Sequence, residues 1–318
     1  MNQAPIIIAG FGRSGTTWLS DVISKALGGL ILFEPFHPGV YPESKNLCYA
    51  SSVLAPEDLL RHLTKTTSQA PSNNNWLLRN HLNTPLEENS QSFVKYIWDN
   101  TDILGLKTIR LNHMLATLSK AINGYVVYIY RHPLAVLTSL LNRKRFWEEY
   151  GWDWHEQYFF ERALGHTSWT KDQMAELTRV RSSEFLDQEM TILLMWSISF
   201  IISLREVDRC DGVVVSYEDL YLDPYNKATD ILSHIGFDGV KLHPSYFFTP
   251  SLTTLNTIHN RKELLNSGIG FLDELFWKNK LSEQKTKQYL AFIKDVLSID
   301  SYALEVAQKK QYLHSISS

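Results

Sequence analysis

The sequence predicts an α/β fold in which a P-loop-type parallel sheet of about five strands carries helices on both faces. Three observations predict it. Short β-branched runs bounded by loop residues recur at Ile6–Ala9, Leu30–Phe33, Ile103–Leu106, Tyr125–Tyr130 and Val213–Ser216. Longer stretches between them space their apolar residues at helical intervals, and such alternation implies parallel pairing with crossover helices. The first run also passes directly into a glycine-rich turn and a helix, IIIAGFGRSGTTWLSDVIS. A chain of 318 residues, 44% hydrophobic and 20% charged, has globular values and fits one domain, 1–318, with an insertion.

Ile6–Ala9 is wholly apolar and reads as a strand buried on both faces. The turn that follows has the spacing of a P-loop: Gly10, four residues, then Gly15, Thr16 and Thr17, with Thr16 where such loops carry lysine. Glycines let consecutive amide N–H groups turn inward, and the next helix adds its positive end, so an anion is held there by Gly12, Arg13, Ser14, Gly15, Thr16 and Thr17. A nucleoside triphosphate also needs a cation on its outer phosphates, which Thr16 cannot supply. Arg13 is the only cation of the loop. A single 5′-phosphate joined to a less charged group suits it better than a triphosphate.

The second run ends at Glu34, and 35–56, rich in Pro, Gly and Ser, is expected to form a wall of a cleft. Lys107 and Arg110 are expected just after the third run and face the same cleft if a turn begins there. The fourth run leads into RHPLAVLTSLL. Pro133 suits a first helical turn, which leaves Arg131 at the carboxyl edge of its strand and Ser139 about two turns along, able to grip one phosphate together.

Residues 142–190 form the predicted insertion, rich in aromatic and charged side chains. Trp147, Trp152, Trp154, Tyr158 and Phe159 are expected to make the small core of a helical lid, with stacking on an acceptor ring as the alternative. Met190 to Leu204 is too short, and too rich in serine, for the roughly 20 residues that cross a bilayer, and is read as a core helix rather than a transmembrane segment. The last third, FWKNKLSEQKTKQYLAFIKDVL, predicts a closing helix.

Several classes are disfavoured. A net charge of −3 does not suit a protein that coats nucleic acid. Cys48 and Cys210 are too few for a disulfide framework, and His155 and His166 lack the spacing of metal ligands, so no metal is assigned. The start MNQAP has no basic segment followed by an apolar one, and a cytoplasmic location is expected. The sequence leaves oligomeric state undetermined.

GFGRSGTTWL followed by YRHPLAVLTSLL resembles the 5′-phosphosulfate loop and the 3′-phosphate motif of sulfotransferases that use 3′-phosphoadenosine-5′-phosphosulfate (PAPS). FEPFHP at 33–38 and LKTIRL at 106–111 resemble the carbohydrate-type branch, VVVSYEDLYLDP at 213–224 the adenine-side strand and helix, and WKNKLSEQ the closing helix. The resemblance implies PAPS as donor, no metal, and a small molecule or glycan with a hydroxyl or amine as acceptor. It implies Arg13, Arg131, Ser139 and Tyr217 as donor-binding residues, with Tyr217 against adenine. Arg13 stands where the family frequently has lysine. Glu34 is implied as general base with His37 as runner-up, and Lys107 as the stabiliser of the leaving phosphate or the transferring group. Arg261 and Lys262 correspond to a basic loop that returns to the 3′-phosphate. His113 is read as a structural histidine. Two other classes compete, a P-loop kinase or NTPase and a non-catalytic nucleotide-binding protein; the first is opposed by the missing lysine and by Arg131 where a magnesium-holding acid belongs.

Overall fold

The computed structural model describes residues 4–49, 55–73, 75–78, 99–141, 152–248, 280–310 and 312, with the side chains of 68–76, 152–155 and 248 left aside. In chain order the elements are β1 (Ile6–Ala9), α1 (Thr16–Leu27), β2 (Leu30–Phe33), α2 (Pro56–Asn73), β3 (Ile103–Thr108), α3 (Leu115–Ile122), β4 (Tyr125–Tyr130) and α4 (Pro133–Leu141). Then follow α5 (Trp152–Ala163), α6 (Lys171–Arg181), α7 (Gln188–Asp208), β5 (Val213–Ser216), α8 (Tyr217–Leu222), α9 (Pro224–His234), α10 (Ser245–Phe248), α11 (Glu283–Leu297) and α12 (Ser301–Lys309).

The five strands form one sheet in the order β2-β3-β1-β4-β5, and every neighbouring pair is parallel. All four residues of β1 are buried, because alternate side chains enter different cores. Ile7 and Ala9 join Val126, Tyr128 and Tyr130 of β4 in a core covered by α3, α4, α7 and α11. Ile6 and Ile8 join Val127 and Ile129 in a core covered by α1 and α9. Helices therefore clothe both faces, as the apolar runs require.

One boundary differs from the sequence reading. β3 continues two residues past Leu106, so Lys107 lies inside the strand, in register with Ile8 of β1 and Phe33 of β2. A lysine is not expected in a buried strand; here a carboxylate of the neighbouring segment meets it.

The apolar run around Met190 to Leu204 is the middle of α7, which Asp187 starts by accepting the Met190 N–H at 2.7 Å. By length and composition alone this 21-residue helix can cross a membrane, but 89% of its most apolar window is buried inside the protein. It is the central core helix. The described part of the insertion is two helices. From α5, Phe159, Phe160 and Ala163 pack on Leu194, Met195, Ile198 and Ile202 of α7. A capping box between Thr170 and Gln173 starts α6. Phe159 is therefore core, but in a cluster shared with α7 rather than in a lid of its own, and Tyr158 is half-buried beneath Lys45 and Arg162 instead of joining it; Trp147 and the side chains of Trp152 and Trp154 lie outside the described residues. Arg162 of α5 donates from Nη1 to the carbonyl oxygens of Lys45 (3.1 Å), Asn46 (3.0 Å) and Cys48 (2.5 Å), fastening the insertion to the wall that follows β2.

Candidate active site

β1 and β4 are neighbours whose chains leave in opposite directions, β1 toward β2 and β4 toward β5, and such a divergence opens a crevice at the carboxyl ends of a parallel sheet. The glycine-rich turn and the Arg131 turn both lie there. The first turn closes with the Ser14 N–H on the Phe11 carbonyl oxygen at 3.1 Å. Arg13 takes a left-handed backbone with φ 72°, and Gly15 follows at φ 93°. A side chain at Gly15 is excluded twice over: that φ disfavours one, and a Cβ there would stand 2.4 Å from Cδ2 of Tyr217. Thr16 and Thr17 then open α1.

The two predicted anion motifs touch. Arg13 Nε donates to Ser139 Oγ at 2.9 Å, and Arg131 Nη1 donates to the carbonyl oxygen of Arg13 at 3.4 Å. The Arg131 guanidinium also lies over the Tyr217 ring, 4.5 Å from its centroid. Ser14 is fully buried, yet its Oγ has no hydrogen-bond partner among the described residues. An unpaired buried hydroxyl is costly unless a ligand meets it, so its place in this loop fits a bound anion. Tyr217 is itself 8% exposed, between Gly15, Trp18 and Arg131.

A second polar cluster lies where β2 and β3 end. Glu34, also left-handed at φ 47°, is buried with both carboxylate oxygens occupied: Oε1 accepts Lys107 Nζ at 2.5 Å and Oε2 accepts Arg110 Nη1 at 2.5 Å. Burial alone would raise the Glu34 carboxyl, but Lys107 and Arg110 hold it below the usual carboxylate range. Burial pulls Lys107 down, against the pull of Glu34 and with the nearby charges of Arg110 and Arg13. That Arg13 acts on Lys107 ties this cluster to the glycine turn. The Glu34 backbone N–H reaches the Lys107 carbonyl oxygen at 3.0 Å, so the strand pairing itself sets the ion pair. His37 closes the turn after Glu34 through its N–H on the Glu34 carbonyl, and its Nδ1 accepts the Gly39 N–H at 3.1 Å.

Behind this cluster His113 is fully buried against Tyr49 and Phe159, with Nδ1 3.3 Å from the Tyr49 carbonyl oxygen. Burial, then the neighbouring His166, push it down to about 3, which keeps it neutral, as befits a structural histidine. Arg261 and Lys262 lie outside the described residues. The sequence reading missed Glu218, which accepts the His132 backbone N–H at 2.9 Å, and Tyr312, which donates to the same carboxylate. Glu218 stands within the quoted SYEDL, but nothing in that string says that it turns toward β4.

These features define an α/β protein with a lysine-free anion loop joined to an arginine–serine pair. The sequence matches the family model described as "Sulfotransferase family" over residues 5–240, and the chain belongs to that family. Among solved structures it is similar to the sulfotransferase domain of the Synechococcus PCC 7002 olefin synthase, at 18% identity and TM-score 0.38, covering 87% of this chain and 89% of that one. It is also similar to the sulfotransferase domain from the curacin biosynthetic pathway, at 13% identity and TM-score 0.39, covering 98% of each. No protein of curated function matches the sequence.

Proposed function

We propose that this sulfotransferase moves a sulfuryl group from PAPS to a hydroxyl or amine of a small molecule or glycan by in-line displacement. The observation that carries the reading is the direct contact of the two anion motifs through Arg13, Ser139 and Arg131. In this reading the loop amides and the Ser14 hydroxyl hold the 5′-phosphosulfate, while Arg131 and Ser139 hold the 3′-phosphate. Tyr217, whose exposed area is small, lies against the adenine by one edge while its face supports Arg131.

Transfer forms a bond from sulfur to the acceptor oxygen or nitrogen and breaks the bond from sulfur to the bridging oxygen. Negative charge grows on the departing phosphate and the acceptor loses a proton. Arg13 and Lys107 supply the positive charge. Glu34 takes the proton, and it gains basicity as Lys107 turns from it to the departing phosphate. His37 ranks second: with the Gly39 N–H on Nδ1, a neutral ring carries its proton on Nε2 and has no ready lone pair there. The carbohydrate-type motifs FEPFHP and LKTIRL favour a sugar hydroxyl as acceptor.

The test is thermal unfolding with adenosine 3′,5′-bisphosphate and no magnesium. At a hundredfold excess over its Kd the ligand stabilises the fold by about 2.7 kcal/mol, while ATP with magnesium stabilises it much less. Equal shifts with the two ligands, or none with the bisphosphate, overturn the reading. Labelled PAPS offered with panels of sugars, phenols and amines then identifies the acceptor.

A further inference from the structure

The turn that presents Arg131 is held from below by a carboxylate and a tyrosine from the far end of the chain. Glu218 is buried at the start of α8 and uses Oε1 on the backbone N–H of His132, the residue directly after Arg131. Its Oε2 accepts the Ser216 hydroxyl at 3.0 Å and the Tyr312 hydroxyl. Tyr312 is 3% exposed and its ring meets those of Tyr130 and His132 edge-on, at 5.8 and 4.9 Å. It follows α12, where its N–H closes on the Ala307 carbonyl oxygen at 3.1 Å, and Lys310 pairs with Asp219 on α8.

The amides of this turn are taken by side chains. Pro133 has no N–H, the Leu134 N–H goes to His132 Nδ1 at 3.2 Å, and the His132 N–H goes to Glu218. The path of the backbone out of β4 is thus set by Glu218, and the orientation of Glu218 by Tyr312 and Ser216. A buried carboxylate is costly where apolar packing would serve as well, so its presence under this turn calls for a geometric reason.

We propose that Glu218 and Tyr312 are positioning residues that hold the Arg131 turn in the geometry that recognises the donor's 3′-phosphate. The inference rests on the proposed donor. Neither side chain meets the nucleotide; each acts through the backbone that carries Arg131. The C-terminal helix α12 then belongs to the donor site as its support, although it lies beyond the residues that match the family.

The experiment compares adenosine 3′,5′-bisphosphate with adenosine 5′-monophosphate by titration calorimetry on the full chain. The wild type prefers the bisphosphate. Glu218→Ala lowers that preference about tenfold by weakening the bisphosphate alone, Tyr312→Phe lowers it about threefold, and Glu218→Gln, which still offers an oxygen to the His132 N–H, restores most of it. A merely structural role changes unfolding temperature and leaves the ratio where it was. If the wild type discriminates and folded Tyr312→Phe and Glu218→Ala proteins discriminate equally well, this inference is overturned; Tyr312→Phe keeps the ring and decides the matter should Glu218→Ala fail to fold. If the wild type itself shows no preference, it is the proposed donor that fails.

Discussion

Two clusters of cations flank the crevice, and they are built on opposite plans. At the β2–β3 end, Lys107 and Arg110 are buried and share one carboxylate, so the protein itself supplies each cation with an anionic partner. At the β1–β4 end, Arg131 is half-buried and its partners among the described residues are neutral, a carbonyl oxygen and a phenol ring. The first arrangement gives each cation a carboxylate oxygen, although the Arg110 Nε has no hydrogen-bond partner among the described residues. The second shows no ion pair at Arg131 among the described residues, and beside it stands the Ser14 hydroxyl, which has no partner among them either. In the proposed function the second end recognises the donor while the first keeps its ion pairs until transfer, and mutation of the two ends is expected to divide between binding and stability in the same way.

The largest effect is expected at the closed cluster. Glu34→Ala leaves two buried cations uncompensated and costs about 3–5 kcal/mol of stability by denaturant titration, enough to unfold a marginal domain. If the loss is under 1 kcal/mol, the cluster is not structurally closed and the contrast breaks down. The closed end is also the pH-sensitive one. The Glu34 carboxyl lies below its ordinary value in the folded state, so its contribution is complete above the unfolded value of 4.5 and is lost as pH falls through the lower folded one.

His113 adds a second slope over a higher range. It stays neutral down to about 3 while the unfolded histidine takes a proton near 6.5, so stability falls as pH drops from 6.5 toward 3, by about 1.4 kcal/mol per unit. His62 and His166, both lowered by burial, act with the same sign. His113→Gln is expected to flatten the part of this slope that belongs to His113, read from urea midpoints between pH 6.5 and 4.5. An unchanged slope would assign the effect to the other two histidines.

The open end shows the reverse balance. Arg131→Ala is expected to weaken adenosine 3′,5′-bisphosphate binding by about 1.5–3 kcal/mol, the range of a charge-assisted hydrogen bond, and to cost less than about 1 kcal/mol of stability for the lost contact with Tyr217. A larger loss of stability than of binding makes Arg131 a structural residue. Ser139→Ala is the smallest change, about 0.5–1.5 kcal/mol in binding. Because Ser139 also accepts from Arg13, calorimetry of the Ser139→Ala, Arg13→Ala double cycle sharpens the comparison: coupling above about 0.5 kcal/mol shows the two motifs working as one site.

Much of this architecture was legible because it follows from local pattern. Each of the five apolar runs is a strand, since burial on both faces of a parallel sheet leaves an uninterrupted apolar string. Gly10, Gly15 and Pro133 announce backbone geometry, and that fixed where Arg13 and Arg131 emerge. Lys107 was misjudged by its type: in a buried strand its charge is tolerated only because Glu34, 73 residues away, meets it. Glu34 was singled out by its place at the end of the second run, but its lock between two cations depends on register between β2 and β3, which no spacing encodes. Glu218 and Tyr312 stand 94 residues apart and meet only once β5 and α12 have packed. Long-range polar pairs of this kind leave no periodicity to read.

The grip of Arg162 on three carbonyls has a consequence for engineering. One guanidinium ties a helix of the insertion to the segment between Glu34 and Tyr49, so two stretches more than a hundred residues apart hold each other in place. An insertion grafted in without an arginine at this position would leave three carbonyls without their donor. A chimera is expected to fold best when it keeps Arg162 or carries 36–49 and 152–181 together.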